Sequence, residues 1–193
     1  MVGIWGFVAL MGILAYYGYD LPDLEKLETP QRRPSVTLMA SDNSVLANYG
    51  DLHGGAVQFD EVPPYLVQAI VATEDRRFFD HAGVDGIGII RAAFANLRAG
   101  AIRQGGSTLT QQLAKNLFLT PERSLKRKVQ ELLLAFWLEA RFSKKQIFTI
   151  YLNRVYFGAG TYGIAAASHH YFDRPARALS LRQAAVIAGL LKA

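Results

Sequence analysis

Cysteine is missing altogether from the 193 residues, which excludes disulfides and thiolate metal sites. That absence says little about compartment, because an extracytoplasmic domain does without disulfides when its core is large enough. A phosphate-cradling P-loop, a dinucleotide glycine fingerprint and zinc-ligand spacing are missing as well. His169 and His170, being adjacent, would point in different directions on a helix rather than share a metal. Acidic residues are outnumbered, 16 against 21 lysines and arginines, for a formal net charge of +5. Such a balance suits an acidic partner, and nucleic acid, anionic lipid and a lipid diphosphate all qualify. Prolines number only 7, and Pro22, Pro30 and Pro34 fall in one polar stretch.

What is present begins with one long apolar run. Val2 to Tyr19 carries no charge and no proline, about 18 residues, enough to cross a bilayer core as a helix. The reading is a transmembrane anchor over 1–19, with Tyr16, Tyr17 and Tyr19 in an interfacial aromatic belt. A cleaved signal peptide would have a shorter apolar centre and a positive start. No lysine or arginine precedes the run, so the positive-inside rule has nothing to act on there. Residues 20–34 have the composition of a juxtamembrane tether, and 35–193 form the remaining domain.

Within that domain a short β-hairpin is expected first, with Val36, Leu38, Val45 and Leu46 around Ser41-Asp42-Asn43-Ser44. The rest reads as helical, so the fold class is mainly α. Pro63-Pro64 opens a helix whose apolar spacing reaches Glu74 near its C-terminal end. A second helix is expected from Gly86 to about Arg98, then a mobile loop marked by Gly100, Gly105 and Gly106. Ser107 or Thr108 caps the next, whose residues Thr108, Gln112, Lys115 and Asn116 share a polar face that a solvated surface would also explain. Thr120-Pro121-Glu122 is read as the start of the longest helix, running to about Phe142, with Leu132 to Leu138 apolar on all sides and therefore buried. Capping boxes at Ser143…Gln146 and Ser180…Gln183 start two more, on either side of a glycine and aromatic turn from Tyr156 to Gly163. The last helix meets no stop signal before Ala193, so the domain is expected to continue past it.

Two carboxylates stand out. Glu74 closes an apolar helix, is followed by Asp75, Arg76 and Arg77, and sits where the helix macrodipole disfavours a negative charge. The wall of low dielectric beside it suits proton transfer, while a surface ion pair would explain the same residues. Glu131 stands where a basic segment, Arg123 to Lys128, gives way to an apolar one. It shares a face with Arg127 and Lys128, which fits a structural ion pair or a site carboxylate among phosphate-binding cations. His81 is read as a structural hydrogen-bonding residue. Paired carboxylates on a helical frame suggest chemistry at a sugar's anomeric centre, and Arg91, Lys115, Arg123 and Arg127 suggest a substrate with phosphate. Together these residues describe a membrane-tethered enzyme that moves a sugar from a phosphate leaving group. A glycan-cleaving enzyme, a non-enzymatic tethered partner and a nucleic-acid binder are the rivals.

Five stretches in order carry a resemblance: EDRRFFDHAG at 74–83, GGSTLTQQLAKN at 105–116, RKVQE at 127–131, KKQIFTIYLN at 144–153 and GAGTYGIAAASHHYF at 158–172. The chain resembles the peptidoglycan glycosyltransferase domain of the class A penicillin-binding proteins. The resemblance implies a lysozyme-like larger lobe with a smaller membrane-facing jaw, to which the Gly100 to Gly106 loop would belong. It implies that lipid II is polymerised into β-1,4 glycan with inversion and release of undecaprenyl diphosphate. Glu74 would be the general base and Glu131 the second catalytic carboxylate, arranging the diphosphate end. Asp75, Arg91, Ser107, Gln111, Gln112, Lys115, Arg123, Arg127 and Tyr171 would bind substrate. A divalent cation, Mg or Mn, could join Glu131 through the donor diphosphate. Expected partners are lipid II, the growing glycan strand, lipid of the cytoplasmic membrane and other cell-wall synthesis proteins, with no nucleic acid. The catalytic domain would lie on the periplasmic side of the bacterial inner membrane. Asp173-Arg174 stands where the family more often has Gly-Lys, and Ala165 replaces a frequent glutamate. No Ser-x-x-Lys nucleophile motif occurs, so this chain holds no penicillin-binding site.

Overall fold

The computed structural model describes residues 36–42, 45–49, 52–53, 55–101, 105–120, 122 and 124–191, with Trp5 and Gly12 besides. In chain order the elements are β1 (Val36–Met39), β2 (Val45–Tyr49), β3 (Leu52–His53), α1 (Pro64–Glu74), α2 (Gly86–Ala99), α3 (Leu109–Phe118), α4 (Leu125–Arg141), α5 (Lys144–Arg154), β4 (Thr161–Tyr162), α6 (Ile164–Phe172) and α7 (Leu181–Leu190). The described part is mainly helical, as its periodicity predicts. The anchor and the tether lie outside the described residues except Trp5 and Gly12, and among those described no helix is long and apolar enough to cross a membrane.

The chain divides into two compact units, one containing His81–Phe142 and the other drawn from Pro30–Asp80 and Ser143–Ala193. In the second, β1 and β2 pair antiparallel with Val36 opposite Tyr49, and β3 pairs parallel with β4. α1 buries Leu66, Val67 and Ile70, and packs on α7, which buries Ala184, Ile187 and Ala188. Each fully buried leucine, isoleucine or phenylalanine of this core contributes about 1.5–3 kcal/mol. The Tyr65 hydroxyl donates to the carbonyl of Leu179, pinning the start of α1 to the entry of α7. Both expected capping boxes are made: the hydroxyls of Ser143 and Ser180 accept the N–H groups of Gln146 and Gln183, whose side chains accept in return. Asn153, near the end of α5, acts as a strand would. Its Nδ2 donates to Val57 O and its Oδ1 accepts from Val57 N, each at 2.8 Å. Gly163 opens α6 at φ +82°, where a Cβ would stand 2.9 Å from Asn153 O, so only glycine fits that approach.

In the His81–Phe142 unit α3 packs on α4, Leu109, Leu113 and Ala114 being buried on one and Leu134, Ala135 and Leu138 on the other. Trp137 meets Phe118 and Phe142 edge-on, with ring centroids 6.4 and 6.0 Å away. Two expectations need correction here. α4 is capped by Ser124, whose hydroxyl accepts the N–H of Arg127 at 3.1 Å, so it starts past Thr120-Pro121-Glu122. Serine is the stronger cap of the two hydroxyl residues, and it sits directly before the continuous helix. Nor is Leu132 to Leu138 buried all round, for Phe136 is 47% exposed. A period of 3.6 residues leaves one side of α4 turned away from α3. Pro121, Arg123 and residues 102–104 of the expected mobile loop lie outside the described residues.

Candidate active site

Glu74 is the last residue of α1. Asp75 follows as the C-cap, buried, its N–H donating to Val71 O at 3.0 Å and its carbonyl accepting from Phe78 N at 3.0 Å. The chain is thereby turned at once into the short 3-10 turn Phe78–Asp80. Arg76 donates from Nε to Ala72 O at 3.3 Å, placing a cation on the carbonyl end of the helix, where the macrodipole favours it. The Glu74 side chain is half-buried, with Oε1 shielded from solvent. Tyr151, on the buried side of α5, is 1% exposed. Burial, and after it the negative charge of Glu74, holds the Tyr151 phenol far above its ordinary value of 10.0.

The end of the first motif meets the second and third, at 105–116 and 127–131, in the His81–Phe142 unit. Gly83, at φ +84°, lets the chain lie against α4, where a Cβ would stand 3.3 Å from the Ala135 backbone. Its carbonyl accepts from the Thr108 hydroxyl at 2.6 Å, and that hydroxyl in turn caps α3 by accepting from Gln111 N at 3.2 Å. Glu131 is buried on α4, one carboxylate oxygen paired with Arg127 and the other with Lys128 at 2.9 Å. Lys128 Nζ also donates to Ser107 Oγ at 2.8 Å and to Gln111 Oε1 at 3.3 Å. Arg127 keeps a buried Nε with no acceptor among the described residues.

Of the residues singled out in the sequence, Ser107, Gln111, Arg127 and Glu131 are thus brought into one hydrogen-bonded group. The polar face expected on α3 divides: Thr108 turns inward, Gln112 is half-buried, and Lys115 and Asn116 are exposed. Arg91 is exposed on α2. Tyr171 uses its hydroxyl to donate to Phe157 O at 3.0 Å, beside the glycine turn. The sequence reading names Lys128 only as a neighbour of Glu131 and does not single out Tyr151. For Lys128 the signal existed in its spacing of three from Glu131. Tyr151 had none, since a tyrosine in an apolar helix reads as core.

Metal ligation is a separate matter. Among the described residues no group of three or more His, Cys, Asp or Glu side chains is placed to hold an ion, and both Glu131 oxygens already face cations. These side chains alone do not fit a metal cage.

A buried carboxylate binding two cations beside a helix start, and a glutamate ending an apolar helix, belong to a helical domain whose sequence matches over most of its length to one family. Residues 42–193 match the family described as Transglycosylase, and the chain belongs to it. Three penicillin-binding proteins 1A are similar to it: that of Aquifex aeolicus is 44% identical over 100% of the chain, that of Escherichia coli 42% over 97%, and that of Vibrio cholerae 40% over 98%. The match bears out the resemblance to a class A penicillin-binding protein's glycosyltransferase domain. The chain spans about a quarter of these relatives, 27, 22 and 23% of their respective lengths.

Proposed function

We propose that the chain is a peptidoglycan glycosyltransferase that polymerises lipid II into β-1,4 glycan. The 4-hydroxyl of the acceptor's N-acetylglucosamine attacks C1 of the donor's N-acetylmuramic acid and gives its proton to Glu74. The bond from C1 to the phosphate oxygen breaks, the anomeric centre inverts, and undecaprenyl diphosphate leaves with the bonding pair. Charge grows on that diphosphate as it departs, so fixed cations stabilise the transition state more than the ground state. Lys115, Arg123 and Arg127 serve that end. Glu131 holds Arg127 and Lys128 in place, and Ser107, Gln111 and Gln112 line the donor side. Asp75, Arg91 and Tyr171 complete the substrate contacts. A divalent cation, Mg or Mn, enters this proposal only as a companion of the donor diphosphate. The family match over 42–193 is the observation that carries the reading. Purified protein given lipid II should consume it and build polymer; cleavage of finished glycan without lipid II turnover would favour a lysozyme-type hydrolase instead.

The proposal places the enzyme at the inner membrane, anchored by residues 1–19 through the 20–34 tether, with a lysozyme-like lobe and a membrane-facing jaw on the periplasmic side. Lipid II, the growing strand and other cell-wall synthesis proteins are its partners there, and nucleic acid is not. α2 supports a lipid contact. Ile87, Ile90, Phe94 and Leu97 lie along one side of it at 60, 71, 66 and 82% exposure, with Arg91 and Arg98 among them to meet anionic headgroups. Because the chain has no cysteine of its own, Leu97→Cys can be labelled uniquely with an environment-sensitive dye. Its emission should shift to the blue in phosphatidylglycerol-containing vesicles, whereas an aqueous spectrum there would remove α2 from the lipid contact.

A further inference from the structure

We propose that Lys144 is a positioning residue for Glu74: its ammonium, seated over the Phe78 ring, holds the turn that ends α1 at the carboxylate. The inference rests on the reading of Glu74 as the base and gives the KKQIFTIYLN stretch at 144–153 a part in it.

Glu74 is the last residue of α1, and the chain leaves it in a turn closed by two backbone bonds. Asp75 N–H donates to Val71 O and Phe78 N–H to Asp75 O, each at 3.0 Å. Phe78 drives its ring into the core, where it is fully buried. What grips that ring comes from α5. Phe148 packs against it at 5.9 Å between centroids, and Lys144, one turn earlier on the same helix, sets Nζ 4.5 Å from the ring centroid. A cation within about 6 Å of an aromatic face is attracted by the ring's quadrupole, more strongly where water is partly excluded, and Lys144 is half-buried. The first turn of α5 thereby holds the segment leaving α1.

The charge is what needs explaining. Lys144 is the first residue of α5, where the macrodipole favours an acid and disfavours a cation. Lys145 bears the same cost in a different place. It reaches the Phe59 ring at 5.2 Å and Asp60 at 3.3 Å, on the 3-10 turn Phe59–Glu61. Its side chain is 64% exposed, so solvent screens it. Of the two, Lys144 is the one over the ring that follows Glu74. A base must meet the acceptor hydroxyl in one geometry, and a small misplacement costs rate rather than binding. An anchor on the turn guards that geometry without touching substrate.

Lys144→Met keeps the aliphatic stem and removes the charge, whereas Lys144→Arg keeps a cation able to lie over the ring. In a lipid II polymerisation assay Lys144→Met should lower kcat by about fivefold to tenfold with KM within about twofold. Lys144→Arg should stay within about twofold of wild type in both, and Lys145→Met should keep the wild-type kcat. Independently of activity, hydrogen exchange at the Asp75 and Phe78 amides should quicken by about tenfold in Lys144→Met. The Ala184 amide, bonded to Ser180 O at 2.9 Å, should keep its rate, since only a general loss of stability would reach it. The proposal is overturned by a wild-type kcat in Lys144→Met, by Lys144→Arg doing no better than Lys144→Met, or by Lys145→Met falling as far. Exchange at Asp75 and Phe78 that is unchanged, or that quickens only together with Ala184, overturns it too. Should the wild-type protein make no polymer, the reading of Glu74 fails on its own, and the exchange still decides whether Lys144 holds the turn.

Discussion

Glu74→Gln is expected to lower lipid II polymerisation by about 10²- to 10⁴-fold, the range that a positioned general base supplies, while leaving the protein folded. Glutamine keeps the size of glutamate and its place at the end of α1 but cannot take the proton of the acceptor hydroxyl. Nothing else need change, because the turn after α1 is made by the backbone of Asp75 and by Phe78 rather than by the Glu74 side chain. Removing a negative charge from a helix C-terminus should raise stability by about 0.3–1 kcal/mol. The expected result is therefore a protein at least as stable to urea as the wild type and almost without activity. Polymer formed at the wild-type rate would take the base role from Glu74. The assignment differs from that in lysozyme-like hydrolysis, where one carboxyl must protonate the departing sugar oxygen; a diphosphate leaves without that help.

Glu131→Ala should be costly in a different way. The wild-type carboxylate is buried and faces Arg127 and Lys128 at once, and its loss leaves two adjacent cations with one partner fewer each. Breaking a fully buried pair costs about 3–5 kcal/mol. Here the Lys128 side chain is 49% exposed and solvent screens it, so about 2 kcal/mol is expected in urea unfolding. Lys128 retains Ser107 and Gln111 as acceptors, which limits the damage to the start of α3. Polymerisation should fall further than stability does. The two cations still attract a diphosphate, so KM should hold while kcat drops by about tenfold or more. A raised KM with unchanged kcat would mean that Glu131 serves binding alone.

Much of this is legible in the sequence alone, where the signal is local. Ser143 with Gln146 and Ser180 with Gln183 announce helix starts within four residues, and the chain makes both boxes. Pro64 and Glu74 bound α1 as read. The start of α4 was misread because Thr120 and Ser124 offer rival caps, and only the hydroxyl that reaches an N–H decides between them. The apolar run of α4 predicts more burial than the chain has, because a run of apolar letters does not say which side another helix will cover, and Phe136 stays exposed. For the site, the spacing of Arg127, Lys128 and Glu131 foretold the ion pairs, but not that Ser107 and Gln111 would arrive from another helix to share Lys128. Tyr151 was out of reach, since its place depends on Phe148 meeting Phe78, residues far apart in sequence.

The paired bonds between Asn153 and Val57 bear on the order of assembly. They close a loop of 96 residues, whereas the bond from Thr108 to Gly83 closes one of 25. That difference is about two doublings, or about 1.2 kcal/mol of extra closure entropy. Synthesis compounds it, because the chain emerges from its N-terminus. α3 and α4 can pack as soon as they are made. α1 must keep Leu66, Val67 and Ile70 uncovered until α7, more than a hundred residues later, supplies Ala184, Ile187 and Ala188. The helix that ends in Glu74 is therefore among the first to leave the ribosome and among the last to find its partner.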